Sequence, residues 1–186
     1  MKLSLRRKLL VLYVRFFHRG QYRKYGNERY FHHPVRVAEM ADKYYPTRSA
    51  YEIGLCHDLF EDTSCTASRL ANCLRLLGYN VEDIHNIIDG VEDLTDKYTK
   101  EAYPSMNRGQ RKQREAIRLS QCPTIVQTIK MCDFKDNTKD IVLRDPKFAL
   151  TYLREKRYAL NLMVSGDKKL RQELILDTGI YTALIK

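Results

Sequence analysis

The sequence lacks the patterns by which several protein classes are recognised. Its five cysteines (Cys56, Cys65, Cys73, Cys122 and Cys132) include no CxxC pair and no zinc-knuckle spacing, which excludes a thiolate zinc module. Their odd number, with no secretory signal, points to reduced thiols and a cytoplasmic location. Cys56 and Cys132 stand among apolar neighbours and are expected to be small core residues. No apolar run can span a bilayer, because the run over 9–14 is short and Arg15 interrupts it. No convincing strand alternation and no internal repeat is present, which argues against sandwiches, barrels and solenoids; only the Tyr-rich stretches leave room for a short hairpin. Acids are nearly missing from residues 1–29, where Glu28 stands alone against nine Lys and Arg residues. Bases are missing from 82–96, which holds Glu82, Asp83, Asp89, Glu92, Asp93 and Asp96. A uniform basic stripe with aromatics, as an extended nucleic-acid surface requires, is therefore absent.

The 186 residues suit a single domain over 1–186, and a hydrophobic fraction of 44% allows a proper core. Lys and Arg exceed Asp and Glu by 33 to 23, a net charge of +10 that favours a compact polyanion such as a nucleotide. Almost every periodic segment reads as helix, giving an all-α chain. Helices are expected over 5–17, 33–45, a segment carrying His57 and Asp58, 67–77, 81–91, 108–119, from Pro123 towards Thr138, 146–163, and a short last one over 168–176. Leu5, Leu9, Leu12 and Phe16 repeat at helical spacing. A packed first helix is expected in preference to one lying on a membrane surface.

The stretch Leu55-Cys56-His57-Asp58-Leu59-Phe60-Glu61-Asp62-Thr63 carries the most chemistry. On one continuous helix, Asp58, Glu61 and Asp62 point together with His57 over Glu61. Four ionisable groups on one turn are costly to bury unless a cation or a reaction needs them. His33 and Asp133 supply further donors from other expected helices, so His33, His57, Asp58 and Asp133 form a divalent-metal set between helices of a bundle. Two imidazoles and two carboxylates suit Mn, Fe, Co or Ni better than a closed thiolate zinc site. His32 could replace His33; His18 is expected to order a loop, and His85 to be a surface or satisfied core residue.

Five segments, in order along residues 14–163, resemble the HD-domain phosphohydrolases, specifically the alarmone hydrolase branch of the RelA/SpoT homologues. They are His18-Arg19-Gly20-Gln21-Tyr22-Arg23-Lys24, Tyr30-Phe31-His32-His33-Pro34-Val35-Arg36-Val37-Ala38, the 55–63 stretch, Gly90-Val91 with Leu94-Thr95, and Ile129-Lys130-Met131-Cys132-Asp133 with Asn137-Thr138. The resemblance implies an HD-domain helical bundle. It implies that His33, His57, Asp58 and Asp133 hold a divalent metal, usually Mn(II). Glu61 and Asp62 would handle protons and position the attacking water. Arg23 and Lys24 would contact guanine and phosphates, and Asn137 and Lys130 the nucleotide. The implied reaction is hydrolysis of the 3′-pyrophosphate of ppGpp or pppGpp by metal-activated water, giving GDP or GTP and pyrophosphate.

Arg108, Arg111, Lys112 and Glu115 repeat at three and four, so one face of their helix either clamps distal phosphates or is a solvated surface with Arg111–Glu115 pairing. The sequence departs from the family at Tyr25, where a small residue is common. The spacing from Arg23-Lys24 to His33 is one residue longer than usual, and Glu92-Asp93 is unusually acidic. A guanine nucleotide is the expected partner, with neither membrane nor nucleic acid. Two alternatives stay open: an HD phosphohydrolase of another nucleotide (a deoxynucleotide, NADPH or a pyrophosphorylated nucleic-acid end), and a non-catalytic nucleotide-binding or antitoxin-like module.

Overall fold

The computed structural model describes residues 4–185. Among them the chain is all-α, with ten helices and no strand; a single bridge pairs Tyr22 with Arg29. The chain divides into two compact units, Met1–Thr95 and Asp96–Lys186.

The first unit is built around α3 (Ala50–Cys56), whose seven residues are all buried. Against it pack α1 (Leu5–Phe17), α2 (His32–Tyr44) and α6 (Val81–Leu94); the short α4 (Leu59–Asp62) and α5 (Ala67–Leu76) lean on α6. Small residues set the spacing. A Cβ on Gly54 would come 3.0 Å from Ala38 Cα and 3.2 Å from the Ala41 methyl, so α2 lies close over α3. On the α6 side, a Cβ on Gly90 would meet the Ile53 side chain at 2.7 Å. Gly78, with φ +79°, ends α5 after its last turn, as expected for a C-cap glycine.

Two expectations are corrected here. The stripe Leu5, Leu9, Leu12 and Phe16 is exposed, and α1 packs through Leu10 and Val14 instead. Arg7 fixes that rotation. It forks onto the fully buried Glu52 (Nε–Oε1 2.9 Å, Nη2–Oε2 3.3 Å), reaches Asp42 at 3.3 Å, and lies 4.5 Å over the Tyr51 ring. The Tyr79 hydroxyl donates to Glu52 from the other side at 2.9 Å. A buried carboxylate needs these partners, so the helix turns its arginine, not its leucines, to the core. The second correction concerns the His-Asp segment, which does not lie on one continuous helix. α3 ends at Cys56, His57 and Asp58 form the break, and α4 starts at Leu59.

In the second unit, α7 (Arg108–Ser120), α8 (Thr124–Arg144) and α10 (Lys168–Ile185) all pack against α9 (Pro146–Leu162). Asn107 and Gln110 form a capping box on α7, and Asp145 caps α9 by accepting from Phe148 N at 3.2 Å. Asp167 caps α10, accepting from Leu170 N at 2.7 Å, but that helix runs to Ile185 rather than stopping near the expected 176. It continues because α8 and α9 cover Leu170, Leu174 and Thr178. Gln127 ties the ends together, donating to the Ser120 and Cys122 carbonyls and accepting from Ser165 N. All five cysteines are free, and Cys56 and Cys132 are core residues as expected. No helix among the described residues is long and apolar enough to cross a membrane.

Candidate metal centre

His33 enters from the first turn of α2, and His57 and Asp58 from the α3–α4 break. Their donor atoms all lie within 4.8 Å of one another. His57 Nε2 is 3.0 Å and His33 Nε2 3.4 Å from the same oxygen, Asp58 Oδ2. The two rings meet edge to face at 5.1 Å. Both imidazoles are buried, whereas the neighbouring His32 is exposed.

The tautomer of His57 follows from its other nitrogen. Nδ1 lies 2.8 Å from the Gly54 carbonyl, which can only accept, so Nδ1 carries the proton and Nε2 presents its lone pair. A metal-ligating histidine is held in this way, its other ring nitrogen donating to a carbonyl that fixes tautomer and orientation. The His57 Nε2 lone pair and the Asp58 carboxylate then lie 3.0 Å apart, which is unfavourable without a positive charge between them. Burial alone would raise the Asp58 pKa, but the adjoining His57 and His33 imidazoles hold it well below the ordinary carboxylate range. The donor set thus fits a divalent cation.

Tyr30 is a member of the site that the sequence reading quoted but gave no role. Its hydroxyl lies 2.7 Å from Asp58 Oδ2 and 2.8 Å from Asp62 Oδ2, so one group links a candidate ligand to the next carboxylate along. Burial first, then the charges of Asp58 and Asp62, push the Tyr30 phenol up, so it stays protonated and donates. The ring stacks on His18 at 5.0 Å and meets His33 at 5.7 Å. Position 30 lies three before His33, on the approach to the helix, and that spacing was the available signal.

Asp62 sits at the rim. Its pKa is raised, by burial and then by the Asp58 charge, and the Tyr30 hydrogen bond opposes that rise. Gln21 Nε2 donates to the Asp62 carbonyl at 2.7 Å, while Gln21 Oε1 lies 2.7 Å from His18 Nδ1. His18 therefore orders this loop, as expected, and burial lowers its pKa. Glu61 is exposed on α4. The Arg23 guanidinium lies 5.9 Å over the Tyr30 ring, and Lys24 Nζ is 4.8 Å over Tyr25.

The other sequence-derived residues belong to the second unit. Asp133 on α8 accepts from Asn137 Nδ2 and lies 3.5 Å from Lys130 Nζ, so these three share a helix face as expected. Lys130 is also 3.7 Å from Asp96, which Lys112 contacts at 2.6 Å. Burial would raise the Asp96 pKa, but Lys130 and Lys112 hold it down at about 2. Arg108 makes a two-pronged pair with Glu155 (2.8 and 2.9 Å), and Arg111 donates to the Met106 carbonyl. Glu115 pairs with Arg118, not with Arg111, and accepts from Lys97 N and Tyr98 N at 3.0 Å each. It anchors the irregular loop that precedes α7.

No family model matches the sequence, and no curated relative matches it. Among solved structures, the chain is similar to a metazoan ortholog of SpoT that hydrolyzes ppGpp and plays a role in starvation responses. That likeness has a TM-score of 0.77 at 19% identity and covers 99% of each chain. The chain thus shares that protein's all-helical fold, an HD-domain helical bundle.

Proposed function

We propose that residues 1–186 act as one metal-dependent phosphohydrolase domain that removes the 3′-pyrophosphate of ppGpp or pppGpp, giving GDP or GTP and pyrophosphate. The observation that carries the reading is the buried His33–His57–Asp58 cluster, with Tyr30 joining it to Asp62. The fold shared with a ppGpp hydrolase supports it.

His33, His57 and Asp58 would hold the metal, and the family resemblance adds Asp133 as a fourth ligand. The expected ion is Mn(II). Such an ion supplies a lowered pKa for bound water and a polarised phosphoryl oxygen. The chain's own residues do the rest. Gly54 fixes the His57 tautomer through its carbonyl. Tyr30 holds Asp58 and Asp62 at a set separation. Asp62, whose pKa burial and the Asp58 charge raise, takes a proton from the attacking water, with Glu61 beside it. Arg23 and Lys24 bind guanine and phosphate oxygens, and Asn137 and Lys130 orient the nucleotide. Arg108, Arg111 and Lys112 meet the distal phosphates once their intramolecular partners are displaced.

The reading is tested by giving purified Mn(II)-loaded protein ppGpp, dATP, dGTP and NADPH in parallel, with Asp58→Asn as control. GDP and pyrophosphate from ppGpp, absent in the control, is the expected result. Turnover of another nucleotide alone would overturn the substrate and keep the chemistry. Metal binding with no turnover of any would favour a binding module.

A further inference from the structure

Helix α1 turns its most apolar stripe outward. Leu5, Leu9, Leu12 and Phe16 are 72%, 41%, 57% and 57% exposed. Their spacings of four, three and four residues place them in one line, about 17 Å long at ~1.5 Å per residue. The stripe widens at its end. Tyr13, Phe16 and Phe17 face Cys73 and Leu76 of α5 and the following Leu77 across an open, apolar groove, and Leu76 is 89% exposed. A contiguous apolar face of this kind is uncommon on a surface with no partner.

The charges around it have one sign. Apart from the core-facing Arg7, α1 contains Arg6, Lys8 and Arg15 and no acid. Arg19 and Arg69 line the hollow that continues the groove past Phe16 and Phe17. Arg19 lies 4.3 Å over the Phe16 ring and donates to its carbonyl, while Arg69 donates to the Ser64 carbonyl. Neither meets a carboxylate among the described residues, and none lines the groove. The other exposed stripe, Leu176, Ile180 and Leu184 of α10, is interleaved with Asp177 and preceded by Glu173, so it lacks this polarity. A symmetric second copy would set these cations against each other.

We propose that the α1–α5 face docks on an anionic phospholipid surface. Leu5, Leu9, Leu12, Phe16 and Leu76 enter the interfacial layer, and Lys8, Arg15, Arg19 and Arg69 meet lipid phosphates. The physical basis is the pairing of an apolar face with a cationic flank in a helix lying in the interface plane. This assignment is independent of the hydrolase reading.

The test is co-sedimentation of the full chain with vesicles of phosphatidylcholine alone and of phosphatidylcholine with phosphatidylserine. Leu9→Ser/Leu12→Ser and Arg15→Gln/Arg19→Gln are compared with the native chain. These side chains are surface groups, and circular dichroism checks that the fold is kept. The native chain is expected to pellet with the anionic vesicles, less so in high salt. Each double variant should lose about tenfold or more in partitioning. Failure of the native chain to pellet would overturn the proposal. So would binding that Leu9→Ser/Leu12→Ser leaves unchanged, because net charge alone would then explain it. A native dimer that this variant converts to monomer would assign the face to a second copy instead.

Discussion

His57 Nδ1 lies 2.8 Å from the carbonyl oxygen of Gly54, three residues earlier. The same glycine leaves space for Ala38 and Ala41 of α2, the helix that carries His33. One position therefore both orients one imidazole and lets the second approach. Gly54→Ala gains up to about 1 kcal/mol of helix propensity. Against that, its Cβ would sit 3.0 Å from a backbone carbon that cannot swing away. The clash should win, for a net loss of about 1–3 kcal/mol. Moving α2 also separates His33 from His57, and Mn(II) affinity should fall roughly 10–100-fold. Urea denaturation and calorimetric metal titration measure the two effects; an unchanged metal affinity would remove Gly54 from this role.

Much of this site was legible because its residues are sequence-local. His57 and Asp58 are adjacent, and His33 is marked by the proline that follows it. The caps Asp145 and Asp167 were readable for the same reason, since each acts within three residues. Misreadings came where a distant partner decides. Periodicity locates the stripe of α1 but not its rotation, which depends on Glu52, 45 residues from Arg7. The end of α10 depends on cover from α8 and α9. Tyr30 was visible in its motif, but its role needs Asp58 and Asp62, 28 and 32 residues away.

Tyr30→Phe keeps the ring against His18 and His33 and removes only the hydroxyl between Asp58 and Asp62. Fold and metal occupancy should persist, with a stability loss near 1 kcal/mol for the missing hydrogen bonds. If Asp62 is the proton acceptor, kcat on ppGpp should drop about 10²-fold with little change in KM. Steady-state kinetics beside metal analysis distinguishes this from collapse of the site; a native kcat would show that the hydroxyl has no part in turnover.

Arg7→Met strands the Glu52 carboxylate in the core with only the Tyr79 hydroxyl and its own backbone surroundings. Breaking one side of such a pair costs about 3–5 kcal/mol. Glu52→Gln in the Arg7→Met background should recover a substantial part of this, because no charge is then left buried. Urea midpoints of the two variants provide the comparison, and equal midpoints would mean that Glu52 is solvated once Arg7 is gone.

Lys156 offers a pH test within the second unit. Its ammonium lies 3.9 Å over the Phe134 ring and 4.9 Å over Tyr152. Burial, and then the like charges of Lys130 and Lys112, lower its pKa from 10.5 to about 7; Asp133 and Asp96 oppose this only in part. Between pH 7 and 10.5 the unfolded chain therefore holds a proton at this site that the native chain largely does not. Unfolding takes up that proton, so the site's contribution improves as pH rises through the window and worsens as pH falls towards 7. Below pH 7 both states are protonated and the penalty is constant. Lys156→Met should be more stable than the native chain at pH 7, by on the order of 1–3 kcal/mol after allowance for partial exposure. The advantage should shrink steadily towards pH 10. Urea midpoints at pH 7, 8, 9 and 10 read the difference directly, and parallel curves for the two proteins would show that Lys156 titrates normally in the fold.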